Sequence, residues 1–448
     1  MAISYFGEMA VLLAAWIVYS WVRNELSWMK ARRFGREYGC EEPKSVENEW
    51  PGGVERYVRM LMSKKGVNVL DDHIFARYQQ MGVGTYRMHK PFYNSIVYTS
   101  DPSNIQAILA TQFNDYGLGP SRSQNMFELL GHGIFTADGD AWAHYRQQLK
   151  PQFSRGQISD LDAAEQHLRI LYRALPQTSS EPADLLPLLL RFTMDVSTEF
   201  LFGKSVNSQT TALQSIHSGT TKELLAEEEF VEAISYAQEY IVFRLRFSKL
   251  WWLARSKRFL DACQTCKNYS ANFVQSALSS SSEPPSTSIS KREGKEEGSQ
   301  KKEKYILLND LTEETRNPTE LRDQMLHLLL AGRDTTAALL AWTLLLLSRD
   351  SARYKKYREQ YALNEASFVI ARFLQKYERI EAVDTDAKPK KKLSLTLSPS
   401  DKLALFKALL KPIYSRKDLM YRMVGDLIGL LDYLVACLIL KAEKMRSQ

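Results

Sequence analysis

Ala331-Gly332-Arg333-Asp334-Thr335-Thr336 sets a glycine, two opposite charges and two hydroxyls in the middle of an otherwise apolar run. The run opens with Asn317-Pro318-Thr319-Glu320, passes through Met325-Leu326-His327-Leu328-Leu329-Leu330, and resumes from Ala337 to Leu347. Asn317 suits a helix N-cap, Pro318 the first helical position and Glu320 the third, so the spacing predicts a helix beginning at Pro318. A helix apolar nearly all round belongs in the core of a large domain. Burying Asp334 there without a partner would cost on the order of 2–7 kcal/mol, the figure for a neutral polar group, or more. A cost of that size is tolerated where it serves chemistry, which makes Asp334 the first candidate functional residue.

The hexapeptide has a physical use. The Thr335 hydroxyl can bond back to the carbonyl of Ala331, four residues earlier. Gly332 has no side chain to shield that turn, so the helix is expected to open locally. Such a groove holds a small polar ligand or a water, and Asp334 can relay protons to it. The alternative is a buried helix with a glycine kink and a satisfied aspartate.

In this setting the hexapeptide resembles the oxygen-binding helix of the cytochrome P450 monooxygenases. The resemblance implies that Asp334 and Thr335 are the catalytic acid and alcohol that deliver protons, and that Ala331 and Gly332 face the haem. A second match lies upstream, where Gly131-His132-Gly133-Ile134-Phe135 and Asp138-Gly139-Asp140-Ala141-Trp142 lead into His144-Tyr145-Arg146 and Leu149-Lys150-Pro151-Gln152-Phe153. This looks like the family's Trp-x-x-x-Arg helix, in which Trp142 and Arg146 would bind a haem propionate. A spacing of four puts both on one helical face, as a shared anion requires; alone, such a pair is commonly a surface cation–π contact. Val97 to Pro102 reads as a strand ending in a capped helix. Arg191 to Lys204 looks like the helix packed beside the oxygen helix. Together with Gly35 to Cys40, these resemble the fungal alkane and fatty-acid hydroxylase branch, from about Arg32 to Ser348 and again from Tyr361 to Phe368.

Between those blocks the chain departs from the family. Arg349 to Glu359 begins like the next family helix and then passes into Gln360-Tyr361-Ala362-Leu363-Asn364-Glu365, which in the family follows the haem-ligating loop Phe-x-x-Gly-x-Arg-x-Cys-x-Gly. Neither that loop nor a preceding Glu-x-x-Arg helix is present here, an omission on the order of one hundred residues, most of a small domain. The family relies on a thiolate whose electron push favours O–O cleavage. The four cysteines are Cys40, Cys263, Cys266 and Cys437. Cys40 lies in the linker after the N-terminal apolar run. Cys263 and Cys266 form a lone Cys-x-x-Cys without the second pair of a zinc site. Cys437, in Leu434-Val435-Ala436-Cys437-Leu438-Ile439, reads as a small core hydrophobe. No metal ligand is therefore assigned, and this chain is expected to be catalytically silent although its family cofactor is haem b.

Composition narrows the remaining classes. With 44% hydrophobic and 25% charged residues, the 448-residue chain can bury a sizeable core. A net charge of +7 set against 52 acidic residues, with no basic stripe interleaved with aromatics, argues against nucleic acid as a partner. Ala2 to Val22 is close to the roughly 20 residues of a spanning helix. Arg23, Lys30, Arg32, Arg33 and Arg36 follow it, so the positive-inside rule puts the bulk of the chain in the cytosol. The competing signal-peptide reading suffers from Trp16 and Tyr19 near the cleavage site. Four unpaired cysteines fit a reducing compartment.

The expected fold is mainly α with small β-sheets, a truncated cytochrome P450 fold behind an N-terminal transmembrane anchor. Its segments are an anchor at 1–22, a basic linker at 23–45, a monooxygenase-like domain at 46–359, a family C-terminal remnant at 360–398 and an atypical helical tail at 399–448. Residues 276–304 are too polar to order themselves, and Lys388-Pro389-Lys390-Lys391-Lys392 reads as a solvated turn. In the tail, Leu427, Leu430, Leu431, Leu434 and Leu438 recur at helical spacing. Asp426 and Asp432 would each cost about 3 kcal/mol at a bilayer centre, which disfavours a second span. The resemblance implies an endoplasmic-reticulum enzyme that hydroxylates an apolar substrate (fatty-acid-like, alkane or secondary-metabolite intermediate) with O2 and electrons from an NADPH-cytochrome reductase. The alternative is a non-catalytic, membrane-tethered remnant that binds apolar ligands or partner proteins.

Overall fold

A computed structural model describes residues 2–46, 74–88, 96–153, 161–176, 182–214, 222–280, 305–360, 369–370, 372–373, 376–382, 391–393, 397–399 and 403–407. The helices are α1 (Ala2–Glu37), α2 (Ala76–Met81), α3 (Pro102–Gln106), α4 (Gly119–Leu130), α5 (Gly139–Leu149), α6 (Leu161–Ala174), α7 (Leu185–Phe202), α8 (Ser208–Gln214), α9 (Lys222–Phe247), α10 (Lys257–Ser280), α11 (Leu307–Glu314), α12 (Pro318–Ser348) and α13 (Ser351–Gln360). The strands are β1 (Lys44–Ser45), β2 (Thr85–Met88), β3 (Ile96–Thr99), β4 (Tyr377–Ala382), β5 (Lys391–Leu393), β6 (Leu397–Pro399) and β7 (Leu403–Lys407). The expected class, mainly helical with small sheets, is what forms.

The described residues gather into two compact units. One comprises residues 1–125 and 241–255, the other 126–240 and 256–448. In the first, β1 runs parallel to β2 and β2 antiparallel to β3, with Tyr86 opposite Tyr98. Tyr86 is buried there, stacked on Tyr98 at 5.3 Å and edge-on to Tyr78 at 4.8 Å. α1 continues without a break through the residues expected to form a linker, so positions 23–37 are helical. At 36 residues α1 measures about 54 Å. Its Trp28 lies 4.2 Å beneath the guanidinium of Arg87, whose Nε donates to Ser45 Oγ at 2.7 Å, so the helix is tied to the sheet. β3 ends as expected in a cap, with Asp101 accepting from the Ser103 amide at 2.9 Å.

The second unit is built around α12. Asn317 Oδ1 accepts from the amides of Thr319 and Glu320 at 3.0 and 3.3 Å, so the helix starts where the sequence places it. By length and hydropathy α12 could cross a bilayer, but 61% of that window is buried inside the unit, which makes it a core helix. Its most extensive neighbour is α7. Gly332 permits that approach, since a Cβ there would come within 3.0 Å of Ser197 Oγ on α7. One apolar core joins Leu168 and Leu171 of α6, Leu189 and Phe192 of α7, and Leu340 and Leu344 of α12.

The same core takes in Val369, Phe373, Tyr377 and Ile380 from beyond the departure point. Arg372 forms a two-pronged contact with Glu165 at 2.9 and 2.6 Å, and Tyr354 donates to the Tyr377 carbonyl at 2.7 Å. The remnant is thus an integral part of the core. β4 pairs antiparallel with β7, and β5 with β6. Three expectations are corrected here. Lys391 and Lys392 open a strand rather than a turn, Leu403–Lys407 are extended rather than helical, and α10 runs through Ser280 into the segment expected to be a loop. Residues 281–304, the junction at 361–368, Cys437 and the leucine stripe from Leu427 to Leu438 lie outside the described residues.

Candidate haem-facing site

Burial along α12 is lopsided. Arg333 and Asp334 are buried, whereas Thr335 is exposed and Leu339 and Leu346 are 46% and 47% exposed. Ala331, Thr335, Leu339, Thr343 and Leu346 follow one another at intervals of four, four, four and three, so they form a single stripe. This is the uncovered face of a helix buried on its other sides. Thr335 Oγ1 donates to the Ala331 carbonyl at 2.5 Å, the back-bond expected from the sequence. The helix does not open in response: α12 is continuously α-helical from Pro318 to Ser348. Gly332 also departs from expectation, since its missing Cβ points at Ser197 rather than along the stripe. Of the expected pair, Ala331 alone lies on the open face.

Asp334 lies on another side. Its Oδ1 is 3.5 Å from Arg333 Nη1, both side chains being 6% exposed. Arg333 reaches onward to α9, donating to Gln238 Oε1 and to Ser235 Oγ, each at 2.9 Å. Burial pushes the Arg333 pKa below its ordinary value, opposed by the Asp334 carboxylate. Asp334 and Thr335 are neighbours in sequence, yet the acid is buried beside α9 and the alcohol stands on the open stripe.

α5 brings Trp142 and Arg146 onto one face, as the spacing predicts, with the guanidinium 5.3 Å from the indole centroid. Trp142 is half-buried and Arg146 exposed. The helix is stitched to the start of α12 through Glu320, whose Oε1 meets His144 Nε2 at 3.2 Å and Gln148 Nε2 at 3.1 Å. Glu320 Oε2 also accepts from Thr315 at 3.0 Å. The carboxylate expected to serve only the helix start therefore also docks α5.

The segment before α5 is clamped by two residues that the motif reading passed over. Asp323 Oδ2 accepts from the His132 amide at 3.0 Å, and His327 Nδ1 accepts from the Phe135 amide at 3.2 Å. Gly131 adopts φ +66°, and a Cβ there would overlap the Asp323 carboxylate; a Cβ on Gly133 would lie 2.6 Å from the His327 ring. Both glycines are thus required by close approach, and Gly131 by its positive φ as well. His327 is fully buried and stacked on Phe135 at 5.6 Å, and burial pushes its pKa down to about 3. The available signal was Asp323 and His327 four apart on an apolar helix, matched by glycines two apart.

A haem fits part of this arrangement. The open stripe would offer small and apolar groups to one face of a planar macrocycle, and the exposed Arg146 would offer a charge to a propionate. Axial thiolate ligation does not fit the described residues. Cys40 is exposed in the first unit, while Cys263 and Cys266 are buried in α10. Cys266 interacts electrostatically with Arg333, on the side of α12 away from Thr335, and burial pushes its thiol pKa up.

Comparison with known proteins bears on the fold and the family. The chain is 40% identical over 361 residues to cytochrome P450 monooxygenase g430 of a Fusarium species, a match covering 80% of this chain and 61% of that protein. It is 38% identical over 266 residues to cytochrome P450 52A4 of Candida maltosa, covering 59% of this chain and 46% of the relative. With cytochrome P450 52A7 of Candida tropicalis the identity is 34%, over 83% of this chain and 69% of the relative. The chain therefore spans about half to two thirds of the length of these relatives. Among solved structures, the cytochrome P450DA heme domain superposes with a TM-score of 0.57 at 14% identity, covering 82% of this chain and 98% of that one, which speaks for the fold alone. The family model described as Cytochrome P450 matches residues 72–363, more than half of the chain. With the ordered motifs and the helical fold in agreement, the chain belongs to the cytochrome P450 family.

Proposed function

We propose that this chain carries the oxygen-side half of a haem monooxygenase acting on an apolar substrate, and that it does not itself turn over. The observation that carries the reading is the open stripe of α12, with Thr335 held over Ala331 by its 2.5 Å back-bond. In this reading Ala331 lets a planar group approach the helix closely, and Thr335 presents a fixed hydroxyl toward it. Leu339 and Leu346 exclude water, while Trp142 and Arg146 hold a propionate by a charge-assisted bond worth about 1.5–3 kcal/mol. Asp334 is the acid that supplies protons to this face. Haem bound here supplies one-electron and O2 chemistry; the family's substrates of this branch (alkane, fatty-acid-like chain or secondary-metabolite intermediate) and an NADPH-fed membrane reductase are the partners it implies. α1 is proposed as the anchor that holds the chain at the endoplasmic-reticulum membrane, with its basic residues on the cytosolic side. The lack of a family cysteine loop supports the reading that turnover is lost while apolar binding is kept.

The test is a hemin titration of the purified chain and of Ala331→Trp, which fills the stripe. The reading expects a saturable Soret change in the parent chain and at least a tenfold weaker one in the variant, with Arg146→Ala intermediate. Equal binding by all three, or none by the parent, would remove the stripe as the haem face.

A further inference from the structure

Ser45 is paired with Arg87 across β1 and β2, and the Arg87 guanidinium lies over Trp28 of α1, 4.2 Å from the ring centroid. A second guanidinium, that of Arg32 one turn further along α1, lies 5.8 Å from the same centroid. Two cations sharing one indole repel each other. Burial and then Arg32 push the Arg87 pKa below its ordinary value, opposed by Glu42 and Glu25. The donors are only partly used. Arg87 Nε donates to Ser45 Oγ at 2.7 Å, and Arg32 Nε lies 2.8 Å from Glu42 Oε1. Arg87 Nη1 and Trp28 Nε1 are buried and meet no acceptor among the described residues, and Arg87 as a whole is 5% exposed.

A buried donor without an acceptor carries its full desolvation penalty, and a charged one carries more. Packing two guanidiniums beside it raises the cost, so the arrangement is a poor one for stability and a good one for binding an anion. We infer that Arg87, Arg32 and Trp28 form an oxyanion site that takes a phosphate monoester group. A guanidinium is weakly hydrated, and its fixed fork of N–H donors matches phosphate oxygens. A phosphate monoester carries close to two negative charges at neutral pH, enough to answer both arginines, where a carboxylate answers one. Its oxygens point in several directions, which suits donors arriving from α1 and from β2. Glu42 is the internal competitor, since it already holds Arg32. Trp28 stands six residues beyond Val22, about 9 Å along α1 from the end of the proposed anchor. A headgroup layer is about 5–8 Å thick on each side of a bilayer, so the site stands at its outer edge. A lipid monoester and free phosphate are therefore both sources of the same chemistry. The lipid source rests on the anchor reading given above, and the site itself does not.

The experiment is calorimetric titration of the full chain, without haem and in micelles of an uncharged detergent, so that its failure is separate from failure of the haem reading. The titrants are inorganic phosphate, a short-chain phosphatidic acid and, as a control, a short-chain phosphatidylcholine. The parent is expected to bind phosphate or phosphatidic acid saturably and the control not at all. Arg87→Gln should weaken that binding by about tenfold or more, and Trp28→Phe, which keeps a ring but removes the N–H, by a smaller factor. Glu42→Gln should tighten it, because the competing carboxylate is gone. That gain has the opposite sign to any effect of poor folding, so it decides the matter even if Arg87→Gln fails to fold. Phosphatidic acid bound at least tenfold more tightly than phosphate assigns the source to a lipid; equal affinities, or phosphate alone, assign it to free phosphate. No saturable binding of either by the parent, equal affinity in folded Arg87→Gln, or weaker binding by Glu42→Gln would each overturn the inference.

Discussion

Replacing Phe373 by alanine tests whether the block beyond the departure from the family pattern is part of the folded core. Phe373 is fully buried, with its ring 5.4 Å and near edge-on to Tyr172 of α6 and 5.8 Å from Tyr377. Truncating a buried phenylalanine costs about 3–5 kcal/mol, since the lost transfer energy is joined by the cavity left behind. Part of that is the loss of two aromatic contacts, each worth about 0.5–1.5 kcal/mol. With a urea dependence of about 3 kcal/mol per molar, Phe373→Ala should lower the unfolding midpoint by about 1–1.7 M. The assay is urea unfolding of the full chain, followed by tryptophan fluorescence and by far-UV circular dichroism. A shift below about 0.3 M would mean that residues 369–382 do not dock against α6, α7 and α12, and that the chain ends functionally at the departure point.

Gly133→Ala puts a Cβ 2.6 Å from the His327 ring and should cost about 1–3 kcal/mol of stability. In a His327→Ala background most of that loss should vanish, and an equal loss in both backgrounds would refute the clamp. His327 has a folded pKa of about 3 against an ordinary 6.5, so the unfolded chain takes up its proton first as pH falls. Its contribution is therefore complete above pH 6.5 and is lost toward pH 3 at about 1.4 kcal/mol per pH unit. His327→Phe should flatten that limb in urea midpoints measured across the window, and parallel profiles would contradict the assignment. Deleting residues 2–22 should move the protein from the carbonate-resistant membrane pellet to the supernatant. Release of the intact chain by carbonate would dispose of the anchor.

The start of α12 was legible because Asn317, Pro318 and Glu320 carry local cap chemistry, and the Thr335 back-bond because it needs only a hydroxyl and a carbonyl one turn away. The mutual placement of Trp142 and Arg146 followed from a spacing of four. Gly332 was read by its lack of a side chain, but which neighbour fills that space is a tertiary matter, and Ser197 stands 134–139 residues away from the motif in the chain. The separation of Asp334 from Thr335 was hidden for the same reason, because Ser235 and Gln238 belong to a helix whose polar residues look like an ordinary solvated face. Lys391, Lys392 and Leu403 to Lys407 carry no alternating pattern strong enough to outweigh a charge run, and their pairing partners decide them. The integration of Phe373 and Tyr377 into the core could not be foreseen from a break in the family pattern, since packing depends on shape rather than on continuity of the motif.

The central claim is that this chain keeps the oxygen-side face of its family without a thiolate for the iron. The most direct measurement is the absorption spectrum of the hemin-loaded chain, reduced and exposed to carbon monoxide. The account predicts a Soret band at the position of histidine-ligated or free haem. A strongly red-shifted band, the mark of thiolate ligation, would show that a cysteine of this chain reaches the iron and would contradict it.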